Sequence, residues 1–217
     1  IVVLTPHGRV MPDAFALFIA QNYQANLKEF GDFQTALTFK TDVRLIETLR
    51  QMTRPARTGF HLVGVTDEFV DYGVTVPLYF LAAHLPSIRV IVLGDAHLAL
   101  AKHFKMGQAF GDILHQSTRR VALLASADLA HTLTDEAPGG FSLAGKRFDE
   151  AVVQALRKKQ TAAIIKLDKQ ASDAKACGLR VIAMLLGAVN ELNYTVEPLS
   201  YEGPFGVGYL VARVNFR

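Results

Sequence analysis

Ile1-Val2-Val3-Leu4-Thr5-Pro6-His7-Gly8 opens the chain with four apolar, mostly β-branched residues that stop at a Pro-His-Gly turn. A strand with no polar alternation is covered on both faces, as strands in parallel sheets buried under helices are. Working outward, Ile88 to Leu93 and Arg120 to Ser126 read as strands of the same buried kind, and Phe60 to Val65 and Thr35 to Phe39 as further strands. Ala14 to Ile19 fits either a strand or a short helix. Between the strands lie helical patterns: Thr41-Asp42 caps a helix to about Met52, Asp71-Tyr72-Gly73 leads into one from Val74 to about His84, and Ala96 to His115 is long and amphipathic. Phe148 to Lys158, Thr161 to Lys166 and Leu179 to Leu192 are also helical, and strands from Thr195 to Tyr201 and Val207 to Asn215 close the chain. Strands alternating with helices predict a single α/β domain over residues 1–217. Its mixed sheet is mostly parallel and flanked by helices, with an antiparallel pair at the C-terminal end.

Composition narrows the function classes. A 217-residue chain that is half hydrophobic, with a net charge of +3, has the profile of a compact folded protein and can bury a full core. Lys and Arg are scattered, as at Arg119-Arg120 and Arg157-Lys158-Lys159, without the aromatic interleaving of a nucleic-acid groove. Apolar runs stop short of a membrane span. Cys177 is the single cysteine, which points to a reducing, cytoplasmic setting; beside Gly178 it reads as a small packing residue. Neither a dinucleotide-binding G-x-G-x-x-G, a phosphate-binding loop, nor a G-x-S-x-G elbow is present.

In open α/β sheets ligands bind beyond the carboxyl ends of the strands. Polar clusters fall there at Pro6-His7-Gly8, Asp71-Tyr72-Gly73 and Ser126-Ala127-Asp128-Leu129-Ala130-His131. A fourth is Ser200-Tyr201-Glu202-Gly203-Pro204-Phe205-Gly206-Val207-Gly208, in which one carboxylate stands among three glycines and a proline. Glycines permit close backbone approach, so Glu202 is expected to be enclosed and paired with a cation, a metal ion first among the candidates. Two histidines and a carboxylate on converging loops have the donor chemistry of an Fe(II) site. His61, His84, His97, His103 and His115 lie within strand or helix patterns and read as structural or surface groups. Asp135 to Gly145, rich in glycine, proline and acids, is the longest loop and a candidate lid.

These four motifs, with Val74 and Pro77-Leu78-Tyr79-Phe80 following the second, occur in an order that resembles the class III extradiol ring-cleavage dioxygenases. The likeness is to their LigB-type catalytic subunit and its Memo-like relatives, and it runs from His7 to Gly208. The resemblance implies Fe(II), or another divalent metal such as Zn(II), held by two histidines and a glutamate. His7 matches the second histidine and Glu202 the glutamate; the first, in a His-Pro-Pro turn, is expected ahead of Ile1. His131 matches the acid/base histidine, and Asp128 a residue that holds its loop or orients an imidazole. Ser126, Tyr72 and Tyr201 fall at the substrate pocket or behind it. Two positions depart from the family pattern: Tyr72 stands where a pocket histidine is usual, and Ala127 where a glycine is. The implied substrates are a small aromatic diol and O2, with a homodimer as the expected assembly and neither nucleic acid nor membrane as a partner. The competing expectation is a metal-poor, Memo-like binding or interaction module with no catalysis.

Overall fold

A computed structural model describes residues 1–53, 59–85 and 87–217. The contacts divide the chain into two compact units, residues 1–98 with 109–126, and residues 99–108 with 127–217. The architecture is α/β, with a mixed, mostly parallel sheet and helices flanking it.

The first unit holds the main sheet. Among the described residues its strands are β1 (Val2–Thr5), β2 (Ala14–Phe18), β3 (Asn22–Leu27), β4 (Asp32–Thr41), β5 (His61–Val65), β6 (Arg89–Gly94) and β7 (Leu123–Ala125). The path runs β3-β4-β6-β1-β7, with β2 joined to β5 and by one bridge to β6. β1 lies parallel to both neighbours, Val2 facing Ile91 on one side and Leu123 on the other. All four of its residues are buried, as a strand covered on both faces requires. Ala14–Phe18 is a strand, also fully buried, and pairs parallel with β5.

Strand β3 was not among the expected elements. Asn22–Leu27 turns back on β4 as an antiparallel hairpin, in which Tyr23 and Ala25 are buried while Asn22 and Gln24 are exposed. Helix Val43–Met52 starts as expected: the Asp42 carboxylate accepts from Leu45 N at 3.2 Å and from Arg119 Nη1 at 2.7 Å. Helix Tyr72–Ala82 begins two residues before the predicted Val74, and Leu100–His115 begins four after the predicted Ala96. The core of this unit gathers Val3, Phe18, Tyr23, Val74, Leu78, Val90 and Val92.

The second unit packs helices Leu143–Arg157, Thr161–Ile165, Asp168–Asp173 and Leu179–Ala188 with the hairpin of β8 (Tyr194–Glu202) and β9 (Tyr209–Phe216). Helix Asp168–Asp173 had no counterpart in the expectation. Phe148, Val152, Ile164, Ala183 and Leu186 form the centre of its core. The segment expected as a lid is tied down instead: Gly139 N donates to His131 O and Ser142 N to Thr132 O, both at 2.9 Å. No helix among the described residues is long and apolar enough to cross a membrane.

Candidate functional site

β1, β6 and β7 run parallel, so their carboxyl ends lie on one side of the first unit's sheet. Thr5 closes β1 there, and the chain turns at once into Pro6-His7-Gly8. Thr5 is fully buried; its Oγ1 donates to Asp71 Oδ1 at 2.8 Å and accepts from His7 N at 3.2 Å. Asp71 precedes helix Tyr72–Ala82, yet its carboxylate makes no side-chain cap. It reaches back to Thr5, while its backbone carbonyl takes Val74 N and Thr75 N. Its Oδ2 is buried with no hydrogen-bond partner among the described residues. Tyr72 then lies over His7, ring centroids 4.3 Å apart, with Oη 3.2 Å from Nδ1. Phe30 meets the tyrosine edge-on at 5.5 Å. Ser126, one residue past β7, donates its N–H to Leu4 O.

The second unit holds the other expected residues. Asp128 and His131 face each other across one turn, Oδ2 to Nε2 at 3.8 Å, an ion-pair distance too long for a hydrogen bond. Asp128 and a hydrogen bond with the Cys177 side chain raise the His131 pKa to about 9, against the opposing effect of burial. Both neighbours favour the protonated imidazole. Backbone bonds fix the pair in place: His131 N donates to Ala174 O at 3.0 Å and Gly178 N to Asp128 O at 3.1 Å. The second bond brings residues 177–178 beside Asp128.

Cys177 is thus a functional candidate that the sequence reading set aside as packing. Its partner lies far along the chain, and only the helix order Asp168–Asp173, Leu179–Ala188 brings it to His131. Tyr209 joins the same cluster: burial first, then the nearby Asp128 and Cys177, push its hydroxyl pKa upward.

The glycine run after Glu202 serves this loop. Gly208 exchanges two backbone bonds with it, Leu129 N to Gly208 O and Gly208 N to Ala130 O, both 2.8 Å, and Leu133 N donates to Gly206 O. A Cβ on Gly208 would lie 2.1 Å from Asp149 Oδ2, so only glycine fits this approach. Asp149, 1 % exposed, accepts from Ala130 N at 2.8 Å and from Tyr201 Oη at 2.6 Å. Burial pushes its carboxyl above the ordinary value of 3.8 despite those two donors.

Glu202 departs from expectation. It pairs with Tyr209 at the end of β8, and its side chain is exposed rather than enclosed. The glycines make room for residues 129–134, not for the carboxylate that precedes them. Tyr201, expected near the pocket, is the buried Asp149's hydrogen-bond donor.

The family model for the catalytic LigB subunit of aromatic ring-opening dioxygenases matches residues 1–212. The chain belongs to that LigB family. Protein CA_C1420 of Clostridium acetobutylicum is 27% identical over 223 residues, covering 99% of this chain but 48% of the relative. The chain thus spans about half the length of the curated relative it matches. In solved structures, the LigB-family chain resembles the uncharacterized protein JW3007 from Escherichia coli K12, with a TM-score of 0.71 and 16% identity. That match covers 97% of this chain and 84% of the other, and it shows a shared fold.

Proposed function

We propose that this LigB-family chain takes part in metal-dependent oxidative opening of an aromatic ring, with a small catechol-type diol and O2 as substrates. The observation that carries the reading is the His131 imidazole set 3.8 Å from the Asp128 carboxylate, which together with Cys177 raises its pKa. A group that starts with its proton begins as an acid. It can give that proton to an oxygen of the opening ring and recover it from a later hydroxyl, a contribution of about 10²–10⁴-fold. Asp128 orients the imidazole and stabilises its charged form, and the backbone bonds from Gly178 and to Ala174 hold both residues before substrate arrives.

The donor chemistry fits a divalent metal. His7 has Nδ1 engaged by Tyr72, the kind of outer hydrogen bond that orients a ligating imidazole. Glu202 offers an exposed carboxylate. In this proposal His7 and Glu202 are ligands to Fe(II), or to another divalent ion such as Zn(II). Bound there, the metal supplies Lewis acidity that lowers the pKa of a diol hydroxyl. A second ligand pair is favoured by one observation: Asp128 and Cys177 place a carboxylate and a thiol beside the His131 imidazole. Cys177, the single cysteine, has no disulfide partner in this chain, which suits a reducing, cytoplasmic setting.

Anaerobic loading with Fe(II), followed by metal analysis and a panel of catechols watched for coloured ring-fission product, tests the function and the ligands together. Glu202→Gln is expected to lose stoichiometric iron. Iron kept in Glu202→Gln but lost in Cys177→Ser moves the assignment to the second pair. Bound iron with no turnover of any diol favours the binding-module reading.

A further inference from the structure

Tyr72 touches His7 in a way that bears on which of its ring nitrogens carries the proton. Its ring sits between two others, the His7 imidazole at 4.3 Å and the Phe30 ring, edge-on, at 5.5 Å. Its hydroxyl is 3.2 Å from His7 Nδ1. The backbone beneath is packed without slack. A Cβ on Gly73 would lie 2.8 Å from Thr5 Oγ1, 2.9 Å from Asp71 Oδ1 and 3.1 Å from His7 Cδ2. Thr5 and Asp71 fix the His7 main chain from below, and Tyr72 engages its ring.

A neutral imidazole carries one proton, and the partner of one nitrogen decides the state of the other. When Tyr72 donates to Nδ1, the proton of His7 sits on Nε2. When Nδ1–H donates to Tyr72 Oη, the Nε2 lone pair is left for a cation. A phenol hydroxyl serves in both states because it donates and accepts.

We infer that Tyr72 is a positioning residue for His7, and that its hydroxyl accepts from Nδ1–H and so sets the tautomer that binds a divalent metal through Nε2. The inference rests on His7 being a metal ligand. It assigns Tyr72 the outer-hydrogen-bond role that a carboxylate or a backbone carbonyl plays at other metal-bound histidines.

Zn(II) titrations of the wild type, Tyr72→Phe, Phe30→Ala and His7→Ala test it, together with long-range nitrogen NMR of the His7 ring in the Zn(II)-loaded protein. Phe30 is 62% exposed and touches Tyr72 without bonding to His7, so its removal perturbs packing alone. Tyr72→Phe is expected to weaken Zn(II) binding about 10–100-fold, the loss typical of a removed outer hydrogen bond. It should also speed exchange of the Nδ1 proton, while Phe30→Ala stays near the wild-type value. Unchanged affinity in Tyr72→Phe with a clear loss in His7→Ala overturns the inference and leaves the ligand reading standing. An equal loss in Phe30→Ala and Tyr72→Phe overturns it too, in favour of packing. Unchanged affinity in His7→Ala overturns the ligand reading and this inference with it.

Discussion

Replacing Gly208 with alanine puts one methyl group where the fold leaves no room. The new Cβ would lie 2.1 Å from Asp149 Oδ2 and 3.2 Å from Leu129 Cβ. A carboxylate oxygen at the end of an unrestrained side chain would swing away at little cost. This one is 1 % exposed and takes hydrogen bonds from Ala130 N and Tyr201 Oη. To make room, either Asp149 gives up those bonds, each to a charged acceptor and worth about 1.5–3 kcal/mol, or the Gly208 backbone withdraws and loses its two bonds to Leu129 and Ala130 at about 0.5–1.5 kcal/mol each, with about 1–3 kcal/mol of overpacking besides. The two routes together bracket a loss of about 2–6 kcal/mol, a large part of the total stability of a domain. Gly203 is the internal control. There a Cβ meets Leu133 Cδ1 at 3.1 Å, the movable end of a flexible side chain, and Val207 O at an ordinary 4.0 Å, so Gly203→Ala should cost less than about 1 kcal/mol. Urea unfolding followed by tyrosine fluorescence and far-ultraviolet circular dichroism measures both. Wild-type stability in Gly208→Ala, or equal losses in the two variants, would refute the claim that the glycine run exists to admit the His131 loop.

Two further outcomes concern charge. Asp128→Asn should lower the His131 pKa from about 9 toward 6.5, read from the imidazole carbon shifts across a pH titration; a value that stays near 9 shows Asp128 is not its main cause. Because the folded-state value is the raised one, the stability His131 contributes is fully present below pH 6.5 and fades as pH rises through about 9, and Asp128→Asn should flatten that slope. Asp149 has the opposite charge but its pKa is also raised, so the native state holds its proton more tightly than the unfolded chain does. Its contribution to stability therefore declines as pH climbs from 3.8 through the raised value, and the stability gap between wild type and Asp149→Asn should narrow over that interval; a gap that widens contradicts the assignment.

The sheet's centre could be read from sequence because β1 and β6 are apolar on both faces, and a continuous β-branched run has few other places to go. β3 escaped because its signal is weak: Tyr23 and Ala25 alternate with polar residues over only six positions, and Asn and Gln are poor strand formers. The site was half legible. His131 and Asp128 are three residues apart, so one motif carries both. Cys177 carries no local mark, because its hydrogen bond to His131 is a product of tertiary packing. The enclosure expected of Glu202 is absent for a physical reason: glycines signal that something approaches closely, but not what. The approaching group is the backbone of residues 129–133, and the acid beside the glycines is a bystander to that contact.

The pairing of Leu129, Ala130 and Leu133 with Gly206 and Gly208 also constrains the order of assembly. The backbone groups of the histidine loop find these partners at Gly206 and Gly208, beyond helices Leu143–Arg157 to Leu179–Ala188, so during synthesis the loop waits while the helices between are made. Closing so long a connection costs chain entropy before the bonds form, which places the ordering of His131 late in folding. A nascent chain stopped before Gly206 would carry every residue of the Asp128–His131–Cys177 cluster and still lack the segment that holds its loop, so chemical competence would arrive with that segment rather than accrue along the way.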